Sequence, residues 1–154
     1  MKGLQTLRRQ QWIPRPIEEV FPFFSDARNL GAITPPWLEF RMLTPGPIYM
    51  AAGTDLRYQL SWHGVPVGWT TRIRRWEPPV RFIDVQLSGP YRLWHHTHRF
   101  EAASGGTRMS DVVRYRLPLG WIGRAVNALK VRRDLEGIFD YRRERICQLL
   151  GGQA

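Results

Sequence analysis

This chain predicts an α+β fold: a curved antiparallel sheet of about seven strands, two short helices after the first strand, and one long C-terminal helix across the sheet. Two patterns carry that prediction. Side chains alternate with period 2 through five neighbouring segments between Thr54 and Leu117, as half-buried antiparallel strands require. After Gly120 the period becomes helical and stays so to Leu150. A third observation is size: 154 residues, 43% of them hydrophobic, suffice for a single domain, 1–154, with a real core.

The elements follow in order. Leu4–Ile13 reads as a strand, ended by Pro14-Arg15-Pro16, and Pro16 suits the first position of a helix. Glu18 and Glu19 then occupy its first turn, where the helix dipole favours acids. Ile17, Val20, Phe21 and Phe24 share one helical face. Pro22 keeps this helix short or bends it. Asp26 caps a second short helix to about Ile33, stopped by Thr34-Pro35-Pro36. Leu38–Leu43 is a short strand before the loop Thr44-Pro45-Gly46-Pro47. In Thr54–Trp62, the side chains of Leu56, Tyr58, Leu60 and Trp62 share a face. His63-Gly64 turns the chain, and Val67–Trp76 returns with Trp69, Thr71 and Ile73 on that same side. Three more strands follow Pro78-Pro79: Phe82–Leu87, Leu93–Ala102 and Thr107–Leu117. Pro118-Leu119-Gly120 ends the last of them.

On the helix, from about Trp121 to Leu150, Leu135, Ile138, Phe139, Ile146, Leu149 and Leu150 form an apolar stripe. Arg133, Asp134, Glu136, Asp140, Arg143 and Glu144 form the charged face, and Arg142 interrupts the stripe. A helix of ~30 residues is ~45 Å long, enough to cross a whole sheet. A sheet that curls around it leaves a cavity between the two.

The three central strands carry the chemistry. The turns Ser88-Gly89-Pro90 and Ser104-Gly105-Gly106 set Asp84 opposite His96, His98 opposite Asp111, His96 near Val113 and Trp94 near Tyr115. One face then mixes Phe82, Phe100, Met109 and Val113 with Asp84, Gln86, His96, His98 and Asp111. Burying those polar groups without partners, water or a ligand is costly. That mixture suits a pocket better than a dry core.

Charge and composition exclude several classes. The net charge is +10, with nearly all basic residues Arg; only Lys2 and Lys130 are lysines. Genome base composition produces such a skew as easily as function does. The arginines are spread over the whole chain and no nucleic-acid motif accompanies them, so nucleic acid is not an expected partner. An acidic partner or transient contact with a membrane surface stays open. No apolar run reaches membrane-spanning length, and Met1–Gln11 lacks a signal-peptide apolar stretch. The single Cys147 fits a cytoplasmic chain without internal disulfides.

Several segments resemble the START-like, or SRPBCC, superfamily. They are Pro16-Ile17-Glu18-Glu19-Val20-Phe21, Asn29-Leu30 through Thr34-Pro35-Pro36-Trp37-Leu38, Phe82-Ile83-Asp84-Val85-Gln86 with Gly89-Pro90-Tyr91, and Trp94, His96, His98 and Phe100. Asp111, Tyr115, Leu117-Pro118-Leu119-Gly120 and Phe139 with Tyr141-Arg142 complete the series. The nearest likeness is to the polyketide cyclase/dehydrase and lipid-transport branch, which includes coenzyme Q-binding-like proteins. The resemblance implies a helix-grip fold and a ligand cavity. It does not imply one chemistry, because the superfamily mixes carriers, sensors and enzymes.

These readings place the cavity wall at Tyr58, Trp62, Trp69, Thr71, Asp84, Gln86, Trp94, His96, His98, Asp111 and Tyr115, with Trp37 as a gate. The expected occupant is a small hydrophobic or lipid-like molecule with a polar group. A first alternative is a cyclase or dehydratase using His98, His96 and Asp111 as an acid–base group. A second is a basic interaction module for an acidic partner. No metal is assigned: Glu101 lies on the opposite strand face from His96 and His98, so a cupin-like ligand set does not close. No cofactor is implied, and the oligomeric state is open.

Overall fold

A computed structural model describes residues 3–118 and 124–153. β1 (Leu4–Ile13) is followed by α1 (Ile17–Ser25) and three 3-10 turns, Ala27–Asn29, Gly31–Ile33 and Pro36–Leu38. The remaining strands are β2 (Arg41–Met42), β3 (Asp55–Trp62), β4 (Val65–Glu77), β5 (Arg81–Ser88), β6 (Leu93–Ala103) and β7 (Gly106–Arg116). α2 (Arg124–Leu150) comes last. All seven strands form one antiparallel sheet in the order β1-β7-β6-β5-β4-β3-β2. The chain is thus a meander whose first strand returns to pair with the last. An open curved sheet with a long helix across its inner face is the helix-grip arrangement.

Turn chemistry sets the central register. Ser104 and Gly105 both take positive φ, 52° and 75°, as a two-residue primed turn demands. Ala103 then pairs with Gly106, and His98 falls opposite Asp111, His96 opposite Val113 and Trp94 opposite Tyr115. On the other side Asp84 pairs with His96. His63 and Gly64 make the corresponding turn between β3 and β4. β4 is shifted at Ile73/Arg75, an irregularity of the kind an extra residue makes. Past that point Trp76 pairs with Phe82 and faces inward, packing on Phe21.

The region after β1 differs from expectation in detail. Pro16 is the N-cap of α1, with extended backbone, rather than its first helical residue. Pro22 lies inside α1, which continues to Ser25. Asp26 does cap, accepting a hydrogen bond from Arg28 N, but the chain beyond it forms two single 3-10 turns rather than one helix. Gly31, a poor helix former, begins the second of them. Leu38 closes the third turn, and the strand expected over Leu38–Leu43 contracts to β2. The expected helix start near Trp121 lies outside the described residues.

Two apolar clusters hold the helix to the sheet. Ile13, Val20, Phe21, Ile33, Phe82, Phe100, Met109 and Ile146 pack around α1. Leu7, Val113, Tyr115, Val131, Leu135 and Phe139 pack at the other end. Leu149, expected in the stripe, is 39% exposed. Polar ties add to the β1 side: Gln11 Nε2 donates to Arg143 O at 3.0 Å, and Arg9 reaches Asp140 at 3.1 Å. The row of His96, His98 and Asp111 lies between the two clusters.

Candidate functional site

A cavity of about 250 Å³ lies between the sheet and α2. Strand alternation brings eight of the eleven expected wall residues to it: Tyr58, Trp62, Trp69, Thr71, Asp84, Trp94, His96 and His98. Three lie elsewhere. Gln86 folds back on the β5–β6 turn, donating to Tyr91 O at 2.6 Å and accepting from Tyr91 N at 3.2 Å. Tyr115 is buried behind Tyr91 and Trp94, in the cluster with Val113. Asp111 sits one layer deeper, beside a smaller hollow of about 20 Å³ against α2. Trp37 is 58% exposed and meets the Tyr141 ring of α2 edge-on at 5.6 Å; it does not line the cavity.

The aromatic wall is continuous. Trp69 stacks near Tyr58 at 6.0 Å and meets Trp94 edge-on at 5.1 Å and Tyr91 at 5.5 Å. Such offset and edge contacts are the favoured ring geometries. The Trp69 Nε1 donor is buried and has no partner among the described residues.

The polar cluster is hydrogen-bonded along the diagonals. His96 Nε2 lies 2.7 Å from Asp111 Oδ1, and His98 Nε2 lies 2.6 Å from Asp84 Oδ2. The directly opposed pairs are longer, 3.9 Å for His96 Nδ1 to Asp84 and 3.3 Å for His98 Nδ1 to Asp111. The latter misses hydrogen-bond geometry, leaving His98 Nδ1 without a bond among the described residues. Side chains lean along a strand, and in a twisted sheet a diagonal neighbour is within reach of a long side chain. The imidazoles stack at 3.7 Å, and His98 stacks on Phe82 at 4.0 Å.

Their ionisation follows from the same geometry. Burial pushes both aspartates up, but other groups outweigh it. The His98 hydrogen bond, with the charges of His96, His98 and Arg142, holds Asp84 below its ordinary value. The Arg142 charge and the two histidines hold Asp111 well below. Burial and the neighbouring His98 push His96 down, despite Asp111. Burial also acts against His98, but Asp111 and Asp84 raise it. The two imidazoles are thus driven apart, His98 toward its charged form and His96 toward its neutral form.

Two wall residues from α2 have a place in the sequence pattern that the apolar stripe obscures. Counting three and four from Val131 gives Asp134, Leu135, Ile138, Phe139, Arg142 and Ile146 on one face. Asp134, expected on the charged outer face, lines the cavity; Trp62 Nε1 donates to it at 2.9 Å, and His63 Nε2 lies 3.0 Å away. Arg142 enters between Phe24 and Phe139, 5.7 and 5.8 Å from the ring centres. The opposite wall comes from α1 and the turns, through Phe23, Phe24, Leu30 and Ile33.

Asp84, His96 and His98 offer ligand atoms within 4.8 Å of one another, a donor set that suits a divalent ion by type. Both Nε2 atoms already face carboxylates, and the Arg142 charge acts on Asp84. In this arrangement the three side chains form part of a hydrogen-bond network with Asp111.

Solved structures share this fold. The TTHA0849 protein of Thermus thermophilus matches with a TM-score of 0.67 at 20% identity, covering 94% of this chain and 99% of that one. Ara h 8.0201 matches with a TM-score of 0.64 at 16% identity, over 95% and 99%. Protein CV1439 of Chromobacterium violaceum reaches 0.73 at 14% identity, over 97% and 99%. At these identities the likeness speaks for the fold alone. No curated protein matches the chain. The family model described as polyketide cyclase/dehydrase and lipid transport matches residues 13–138. The chain therefore belongs to the polyketide cyclase/dehydrase and lipid transport family.

Proposed function

We propose that the chain binds a small hydrophobic molecule bearing a polar group, held in the cavity between sheet and α2. One observation carries this: a continuous aromatic wall of Tyr58, Trp69, Tyr91 and Trp94 ends at a buried His–Asp network that no apolar core needs. The cavity, at about 250 Å³, lies just below the ~300–1,000 Å³ of clefts for drug-sized ligands. A ligand of one or two rings fits that space better than a complete long-chain lipid. Membership of the family supports the same reading. The proposed gate is Trp37, outside the wall itself but adjacent to the wall residue Leu38 and packed on Tyr141 of α2. Among the described residues no helix is long and apolar enough to cross a membrane.

Catalysis is the second reading, favoured by the 2.6 Å contact that orients His98 on Asp84. Against it, both imidazole Nε2 atoms face sheet carboxylates rather than the ligand space. Native mass spectrometry of freshly purified protein, followed by organic extraction, tests the main reading. A bound small molecule, released on extraction and rebinding to the stripped protein, is the expected result. Protein that carries nothing, and that binds neither its extract nor 2-naphthalenemethanol, would overturn it. If the extracted molecule is converted by wild type and only bound by His98→Ala, the catalytic reading replaces the carrier.

A further inference from the structure

We propose that Arg142 is the anchor for an oxyanion on the cavity's ligand: a carboxylate, enolate or phenolate attached to an apolar skeleton. This rests on the cavity being a ligand site and names the chemistry of its occupant.

Arg142 lines both the main cavity and the small hollow beside Asp111. Its guanidinium lies between the rings of Phe24 and Phe139. Among the described residues it has no ion pair within 4.0 Å, and its Nε is buried without a hydrogen-bond partner. Asp84 and Asp111 feel its charge without contacting it. The other charged groups of the cluster are satisfied at close range: His96 by Asp111 and His98 by Asp84. Arg142 is a partly buried forked donor beside two aromatic faces, with its buried Nε unused among the described residues.

Leaving a guanidinium so placed is unfavourable unless something supplies acceptors. Water does so weakly in an aromatic-lined space. An oxyanion does so well, because its two lone-pair directions match the guanidinium fork and the charges assist. The aspartates do not defeat this. Each already faces an imidazole Nε2, at 2.6 Å for Asp84 and 2.7 Å for Asp111, and neither lies within ion-pair distance of the guanidinium, so its fork stays open to a ligand. A neutral hydroxyl would also fit the cavity, and the experiment separates the two.

The probes are 2-naphthoate and 2-naphthalenemethanol, which share a ring system and differ in head group. Dissociation constants are measured by fluorescence titration at pH 7.5, with wild type, Arg142→Gln and Arg142→Lys. Wild type should bind the acid about ten- to a hundredfold more tightly than the alcohol, the worth of charge-assisted bidentate bonds. Arg142→Gln should abolish that preference, the acid losing about ten- to a hundredfold more affinity than the alcohol. Arg142→Lys, which keeps the charge and loses the fork, should retain part of it. Circular-dichroism melts check that each variant is folded. Equal affinities in wild type, or a preference that survives Arg142→Gln, would overturn the proposal while leaving the cavity reading intact. Wild type that binds neither probe would overturn the anchor, and, if it also carries nothing and binds nothing from its extract, the cavity reading with it.

Discussion

Replacing Asp111 by asparagine removes one buried carboxylate and keeps its shape. The residue is 7% exposed, with Oδ1 2.7 Å from His96 Nε2 and 3.3 Å from His98 Nδ1. An amide oxygen can still accept from His96, so the loss is the charge-assisted part of the interaction. A bond to a charged group is worth ~1.5–3 kcal/mol and a neutral one ~1 kcal/mol, leaving a cost of roughly 0.5–2 kcal/mol. At ~2–4 °C per kcal/mol for a chain of this size, Tm should fall by about 1–8 °C near pH 6. The pH dependence fixes the sign. Asp111 has a lowered folded pKa, so its contribution is present above the unfolded value of ~3.9 and is lost as pH falls through the folded value. His98 has a raised folded pKa, so its contribution is complete below ~6.5 and is lost as pH climbs through the folded value. His96, lowered, works in the opposite sense and weakens the fold as pH drops below ~6.5. The wild-type advantage should therefore be largest in mildly acidic solution and shrink toward alkaline pH. Thermal melts followed by circular dichroism from pH 4 to 9, with NMR titration of the imidazoles, measure both effects. His98 should titrate lower in the variant. Equal Tm values at pH 6 together with an unmoved His98 titration would refute the reasoning.

Three other substitutions test separate parts of the account. Trp37→Ala should change the stopped-flow release rate of 2-naphthalenemethanol while stability stays within ~0.5 kcal/mol, since the ring is mostly exposed; an unchanged release rate removes the gate. Gly106→Ala should cost about 1–3 kcal/mol in urea denaturation, because a Cβ there would strike the Ile13 carbonyl oxygen and crowd the Trp12 ring at 2.8 Å; an unaltered midpoint contradicts the close approach of β1 to the β6–β7 turn. Asp134→Ala removes the acceptor that ties Trp62 and His63 to α2, so amide exchange in the β3–β4 turn should quicken without a change at β6; unchanged protection at Trp62–Val65 would show that the tie does nothing.

The strands were legible because one face of each is buried and period 2 then leaves no freedom. Ser104-Gly105 fixed the β6–β7 pairing to the residue, so His98 stands opposite Asp111 as the sequence implies. The hydrogen bonds were not legible. Register says which residues are opposed, whereas twist and side-chain lean decide that His96 takes Asp111 and His98 takes Asp84. The inward turn of Trp76 depends on an irregularity in β4 that alternation cannot reveal. Gln86 has the right parity for the wall, but its amide closes the following turn instead. On α2, reading only apolar residues hid Asp134 and set Arg142 down as an interruption. Spacing from Val131 includes both, and an ionisable residue on a buried stripe is itself a signal of a polar site.

The most direct measurement of the central claim is a two-dimensional NMR titration of imidazole and indole signals with 2-naphthalenemethanol. His95 pairs with Arg114 on the other face of the sheet, and Trp12 is 42% exposed at the β1 end, so both serve as internal controls. The account predicts that His96, His98, Trp69 and Trp94 shift together along one saturating curve while His95 and Trp12 stay still. Shifts confined to His95 or Trp12, or no saturable shift at the four cavity residues, would contradict it.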